Sequence, residues 1–367
     1  MTEEERGAVR TEEENIMNWE EKVKRMVPYV PGEQPKRKDI IKLNTNECPY
    51  PPAPAVKKAL QEFDYDSLRL YPDPDCSILV EALAKRFHKK PGQIFVGVGS
   101  DDVLAMAFMT FFQSGEKILF PEISYSFYDV WAKLYDIPFE MVPLKEDFSI
   151  CADDYCKPNG GVVIANPNAP TGLAAGLSDI EKIVAANPDS VVIVDEAYVD
   201  FGGESAVDLV EKYENLLVVQ TYSKSRSLAG LRVGYAIGSE KLIKYMLDVK
   251  FSFNSYTLNR LALEVGTASL ADEEYFRETC GKIVATRERV KGELKELGFT
   301  FPDSSTNFIF AKPAGITAKE LFEALKKEGI YVRFFDKPVL REYLRISIGT
   351  DDEMNRLLAA IREIVGK

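Results

Sequence analysis

Among its 367 residues the sequence has one histidine, two tryptophans and five cysteines, and each scarcity excludes a class of chemistry. His88 lies in the polar stretch LAKRFHKKPGQ, far in sequence from every pair of cysteines, which argues against a zinc set or any other metal centre. It reads as a solvated side chain. Cys48, Cys76, Cys151, Cys156 and Cys280 form no CxxC pair, and their odd number suits reduced thiols used as apolar filler better than a disulfide framework. No apolar run approaches the roughly 18 residues that a membrane-crossing helix needs. The amino terminus is acidic instead of basic and then apolar, so a cytoplasmic protein is expected. Positive charge is also in deficit: a formal net charge of −12 argues against nucleic acid or an anionic membrane surface as a partner.

What is abundant is apolar material, 46% of the chain, in a length that exceeds one ordinary core and so implies two domains. Short β-branched or apolar runs alternate with helical periods, the pattern of an α/β fold with a mostly parallel sheet. The stretch QTYSKSRSLAGLRVGY, residues 220–235, stands out. The run Leu216-Leu217-Val218-Val219 reads as a buried strand, which places Lys224 just beyond a strand end, where ligands sit in open α/β sheets. A lysine in a partly desolvated pocket can attack an aldehyde as the neutral amine and form a Schiff base. Ser223 and Arg232 suit a phosphate close by, and Gly230 and Gly234 permit close backbone approach around Arg232. An aldehyde and a phosphate on one ring describe pyridoxal 5'-phosphate, which also needs an acid for its ring nitrogen.

Such an acid exists. Val191 to Val194 is a β-branched run ending in Asp195-Glu196-Ala197-Tyr198, so Asp195 stands at a strand's carboxyl end. Either it faces the ring nitrogen, with Tyr198 donating to the ring's phenolic oxygen, or it caps the next helix. Ile94 to Gly99 leads into Ser100-Asp101-Asp102 and an apolar helix over Val103 to Phe112. That arrangement suits a phosphate, with Ser100 capping the helix and bonding an oxygen. A dinucleotide fingerprint is disfavoured, because GVGS lacks the third glycine of GxGxxG. Tyr125 in SYSFY follows another short strand; it either stacks on a flat heterocycle or packs the core.

VVIVDEAYVDF followed by TYSKSRSLAGLRVGY resembles the fold-type I pyridoxal-phosphate aminotransferases, and SK...LAGLRxGY is most similar to their histidinol-phosphate branch. The likeness runs from about Tyr29 to the carboxyl terminus. It implies a large domain with a mostly parallel sheet flanked by helices (residues 53–254) and a smaller α/β domain (255–367). An arm (29–52) joins the smaller domain, and 1–28 is an acidic extension with a short helix over Ile16 to Met26. The resemblance implies that Lys224, Asp195 and Tyr198 are catalytic. Ser100, Asp101, Tyr125, Asn168, Ser223 and Arg232 hold the cofactor, and Tyr71 of YPD reaches the cofactor phosphate of the other subunit in a homodimer with shared sites. Tyr29 of YVPG, Asn46 of IKLNTNE, Asn307 of STNF, Arg333 of YVRFF and Arg345 of LRISIGT are the implied substrate residues. Tyr29 read by itself equally suits an aromatic that packs the arm.

One motif departs from the family. NPNAPTG has Ala169 where relatives carry the asparagine that bonds the cofactor's phenolic oxygen, so either Asn168 shifts into that role or Tyr198 holds the oxygen without it. The implied partners are a small-molecule amino donor and a 2-oxo acid, with histidinol phosphate and 2-oxoglutarate first. An aromatic aminotransferase and a threonine-phosphate decarboxylase share nearly all the cofactor motifs and remain alternatives. A non-catalytic pyridoxal-phosphate-binding regulator is disfavoured, because no DNA-binding domain is appended.

Overall fold

The computed structural model describes residues 18–36 and 39–366. Its largest element is a seven-stranded sheet with the strand order Ile94–Gly97, Gly234–Gly238, Leu216–Thr221, Val192–Asp195, Gly161–Ala165, Ile118–Pro121 and Phe139–Val142. Gly234–Gly238 runs antiparallel to both of its neighbours, and the other adjacent pairs are parallel. Alternate residues of the central strands enter different cores. Val192, Val194, Leu216 and Val218 pack on one face with Leu79, Ile180 and Leu263, while Ile193, Leu217 and Val219 pack on the other with Leu104, Phe108 and Ile243. Helices cover both faces, which is why these strands read as unbroken apolar runs. One edge of the sheet therefore gathers the carboxyl ends of several strands, including Asp195 and Thr221.

The carboxyl third has its own core. Phe308–Ala311, Leu344–Ser347 and Arg333–Phe334 form an antiparallel sheet, with Leu344–Ser347 in the middle. It packs under the helices Glu273–Glu296, Ala318–Lys327 and Asp351–Val365. Ile41–Lys42 pairs with Ile330–Tyr331, and Ile41 and Leu43 enter this same core, so this part of the arm is fastened to the smaller unit. Helix Arg260–Ser269 instead packs with the larger unit through Ala262, Leu263 and Val265. That packing favours a boundary after Ser269 over the one expected between 254 and 255.

Several local expectations are corrected. Residues 1–17 lie outside the described residues, and over 18–26 the chain makes turns in place of the expected helix. Trp19 and Val23 are exposed and give a helix no apolar face to dock. The strand expected over Ile40 to Asn46 shortens to Ile41–Lys42, and beyond it Asn46 takes a left-handed backbone, φ 57°. The glycine-rich helix begins at Gly99, so Ser100 lies within its first turn and does not cap it. Asp102 takes the Val98 N–H instead, at 2.9 Å. Arg287, expected on a solvated face, is buried and donates to the carbonyls of Phe201 and Thr306, both at 2.8 Å. Among the described residues no helix is long and apolar enough to cross a membrane.

Candidate active site

The strand ends meet a cavity of about 170 Å³ whose lining includes Lys224, Asp195, Tyr198, Tyr125, Ser223 and Arg232. Ser100 and Asp101 line it from the start of their helix, and Thr45 and Glu47 line it from the arm. The Lys224 Nζ donates to the Thr45 carbonyl at 3.2 Å and stands 5.7 Å from the centre of the Tyr198 ring. Asp195 is only 5% exposed. Burial pushes its carboxyl up to about 6, against the opposing pull of hydrogen bonds from the Tyr128 hydroxyl at 2.8 Å and the Ala197 N–H at 3.2 Å. An uncompensated buried carboxylate of this kind is completed by a cation, and a protonated ring nitrogen is one.

The opposite end of the cavity is built for an anion. Arg232 has a left-handed backbone, φ 58°, and its guanidinium reaches Asp101 at 3.1 Å and Ser223 Oγ at 3.5 Å. It can lie against the helix start only because residue 99 is glycine: a Cβ there would stand 2.5 Å from Arg232 Nη2. Gly234 is required for the same reason, since its Cβ would fall 2.3 Å from the carbonyl carbon of Gly99 and the nitrogen of Ser100. Gly230 meets nothing within 4 Å, so of the two flanking glycines only Gly234 serves close approach. Arginine, a hydroxyl and the free N–H groups of a helix start match a phosphate. Lysine, a buried acid and this cup on one cavity fit pyridoxal 5'-phosphate.

Tyr125 is fixed by its hydroxyl, which donates to Asp101 at 2.7 Å, and by edge contact with Tyr128 at 5.7 Å between ring centres. Asn168 is not brought to the cavity. Its amide donates to the Ile123 carbonyl and Thr171 Oγ1 and accepts from Ser124, so every polar atom is committed to the loop, while Ala169 reaches the lining. The shifted role for Asn168 is therefore corrected, whereas Tyr198 lines the cavity. The Tyr198 hydroxyl accepts from Asn46 Nδ2 at 2.9 Å, and Asn46 is tied in turn to Ser347 and Asn307.

Beside the cavity, Arg345 donates to the Asn44 carbonyl at 3.0 Å, and its Nε is buried without a partner. Burial lowers its pKa from the ordinary guanidinium value. Asn307 Oδ1 and Asn44 Oδ1 are also buried and unpartnered. Arg333 spends two donors on the arm, at the Val30 and Pro31 carbonyls, while Tyr29 stacks on Phe127 at 4.3 Å. Tyr71 lies away from the cavity, 79% exposed and stacked on Tyr256. Sequence reasoning passed over Thr45, Glu47 and Tyr128. Tyr128 shares the SYSFY stretch with Tyr125, but its link to Asp195 joins residues 67 apart and has no local signal.

A family model described as aminotransferase class I and II matches residues 38–361. The chain belongs to this family. A histidinol-phosphate aminotransferase of Clostridium acetobutylicum is 53% identical over 348 residues, 95% of this chain and 99% of the relative. Two solved structures share the aminotransferase's fold. One is a histidinol-phosphate aminotransferase from Sinorhizobium meliloti in complex with pyridoxal-5'-phosphate, with a TM-score of 0.80, 24% identity and coverage of 89% of this chain and 91% of that one. The other is an L-threonine-O-3-phosphate decarboxylase from Porphyromonas gingivalis, with a TM-score of 0.76, 22% identity and coverage of 89% and 100%.

Proposed function

We propose that this aminotransferase uses pyridoxal 5'-phosphate to interconvert histidinol phosphate and 2-oxoglutarate with imidazole-acetol phosphate and glutamate, as a step of histidine biosynthesis in the cytoplasm. The observation that carries the reading is one cavity lined by an amine, Lys224, a buried acid, Asp195, and a guanidinium at a helix start, Arg232. When bound, the cofactor supplies an electron sink for the carbanion left by loss of the substrate α-proton. Lys224 is the covalent anchor and then the base that moves that proton. Asp195 keeps the ring nitrogen protonated. Tyr198, oriented by Asn46, donates to the ring's phenolic oxygen, Tyr125 covers the ring face, and Arg232, Ser223 and the Ser100–Asp101 backbone take the phosphate.

Substrate recognition rests on Arg345. Its fork, with Nε free, matches the carboxylate of glutamate and the phosphate of histidinol phosphate alike, so one cation serves both halves of the exchange. Asn307 contributes beside it, and Tyr29 and Arg333 bring the arm over the bound substrate. Tyr71 completes the phosphate site from a second copy in a homodimer. The decarboxylase reading predicts a different product. Incubating the loaded enzyme with histidinol phosphate and 2-oxoglutarate should yield glutamate with no carbon dioxide. Carbon dioxide release from threonine phosphate without glutamate would overturn the proposal.

A further inference from the structure

We propose that Tyr128 is a positioning residue whose hydroxyl holds Asp195 as an oriented carboxylate facing the cofactor's ring nitrogen. The inference rests on the function proposed above. Tyr128 is 0% exposed and donates to Asp195 Oδ2 at 2.8 Å, leaving the other oxygen with the Ala197 N–H. The ring has little freedom: Phe120 meets it edge-on at 5.9 Å, Tyr125 edge-on at 5.7 Å, and Phe108 lies nearly parallel at 6.3 Å. Burial and the neighbouring carboxylate push the Tyr128 phenol well above its usual range, so it stays a donor wherever Asp195 titrates. The charged or titratable groups facing Asp195 are Lys224, which favours its anion, Asp101, which opposes it, and the phenols of Tyr125 and Tyr128. Of the two hydrogen bonds that favour the anion, Tyr128's is the shorter, 2.8 Å against 3.2 Å. A donor fixed on the carboxylate biases a shared proton toward the ring nitrogen.

The test reads the ¹⁵N chemical shift of the ring nitrogen in holoenzyme loaded with ¹⁵N-labelled pyridoxal 5'-phosphate, titrated with pH. Tyr128→Phe, which keeps the ring and removes only the hydroxyl, should leave Asp195 more basic, so that below the titration the nitrogen's shift moves from the protonated toward the neutral value as the shared proton passes to the carboxylate. Site-specific 3-fluorotyrosine at position 128, a stronger donor, should move the shift further toward the protonated value, and this variant decides the matter if Tyr128→Phe does not fold. Phe120→Leu, which disturbs the same aromatic cluster and spares the hydroxyl, should leave the titration in place. Superimposable curves for parent and Tyr128→Phe, or an equal shift in Phe120→Leu, would overturn the role. A parent enzyme with no protonated ring nitrogen at any pH would instead sink the assignment of Asp195, and with it anything for Tyr128 to position.

Discussion

Asp195 illustrates a residue kept at a cost to folding. Its carboxyl is raised from 3.8 to about 6 by burial, so the folded chain binds a proton more tightly than the unfolded one. Stability therefore falls as pH rises from about 4 to about 6, and the full penalty, about 3 kcal/mol, persists above that range. Asp195→Asn removes the charge while its side-chain oxygen can still accept from Tyr128. The apoprotein of this variant should gain melting temperature over the parent at pH 8 and gain much less at pH 4, while retaining cofactor poorly. Equal differences at the two pH values, measured calorimetrically, would contradict the buried-anion account. Arg345→Gln removes a planar cation at a site with an open donor, and should raise KM for both glutamate and histidinol phosphate by roughly 30-fold, about 2 kcal/mol each. A change for only one substrate would show that the two anions do not share the site. Lys224, Asp195 and Arg232 were legible in the sequence because each follows or ends an apolar run beside telling neighbours. Asn168 was not, since only the folded loop shows that its amide is spent on Ser124, Ile123 and Thr171.

At the scale of elements, the phosphate cup is a contact between two backbones, the turn into Gly234–Gly238 and the start of Gly99–Phe111. Gly234→Ala places a methyl 2.3 Å from backbone atoms that cannot swing away. Overpacking of this kind costs about 1–3 kcal/mol. The variant should melt several degrees lower and bind pyridoxal 5'-phosphate at least tenfold more weakly by fluorescence titration, whereas Gly230→Ala, with open space around it, should do neither. Parent-like binding by Gly234→Ala would mean that the helix start does not shape the cup. The central strands were legible because sheets covered on both faces carry unbroken apolar runs. The helix start was misjudged because Ser100 resembles a cap in sequence, while the helix begins at Gly99 with no side-chain cap and Asp102 accepts from the Val98 N–H. Arg287 escaped for a similar reason: a charge run does not show the two carbonyls that accept from it.

On the scale of the whole molecule, the cavity is lined by the larger unit together with Thr45 and Glu47, whose segment is fastened to the smaller unit through Ile41–Lys42 and Leu43. Chain length led to the expectation of two units, but the place of Arg260–Ser269 is set by apolar contacts with distant helices and was not readable locally. Tyr71 extends the account to a second copy. In the proposed homodimer, Lys224→Ala and Tyr71→Ala chains, each impaired alone, would form a hybrid in which one site carries both lesions and the other neither. Mixing and re-equilibrating them should restore activity well above either parent variant, and no gain would remove Tyr71 from the partner's site. The central claim is that Lys224 is the covalent anchor of a vitamin B6 phosphate, and reductive trapping tests it most directly. Enzyme incubated with pyridoxal 5'-phosphate, reduced with borohydride and digested should carry the pyridoxyl phosphate stoichiometrically on the peptide containing Lys224. Label absent from that peptide, or spread over surface lysines, would contradict the account.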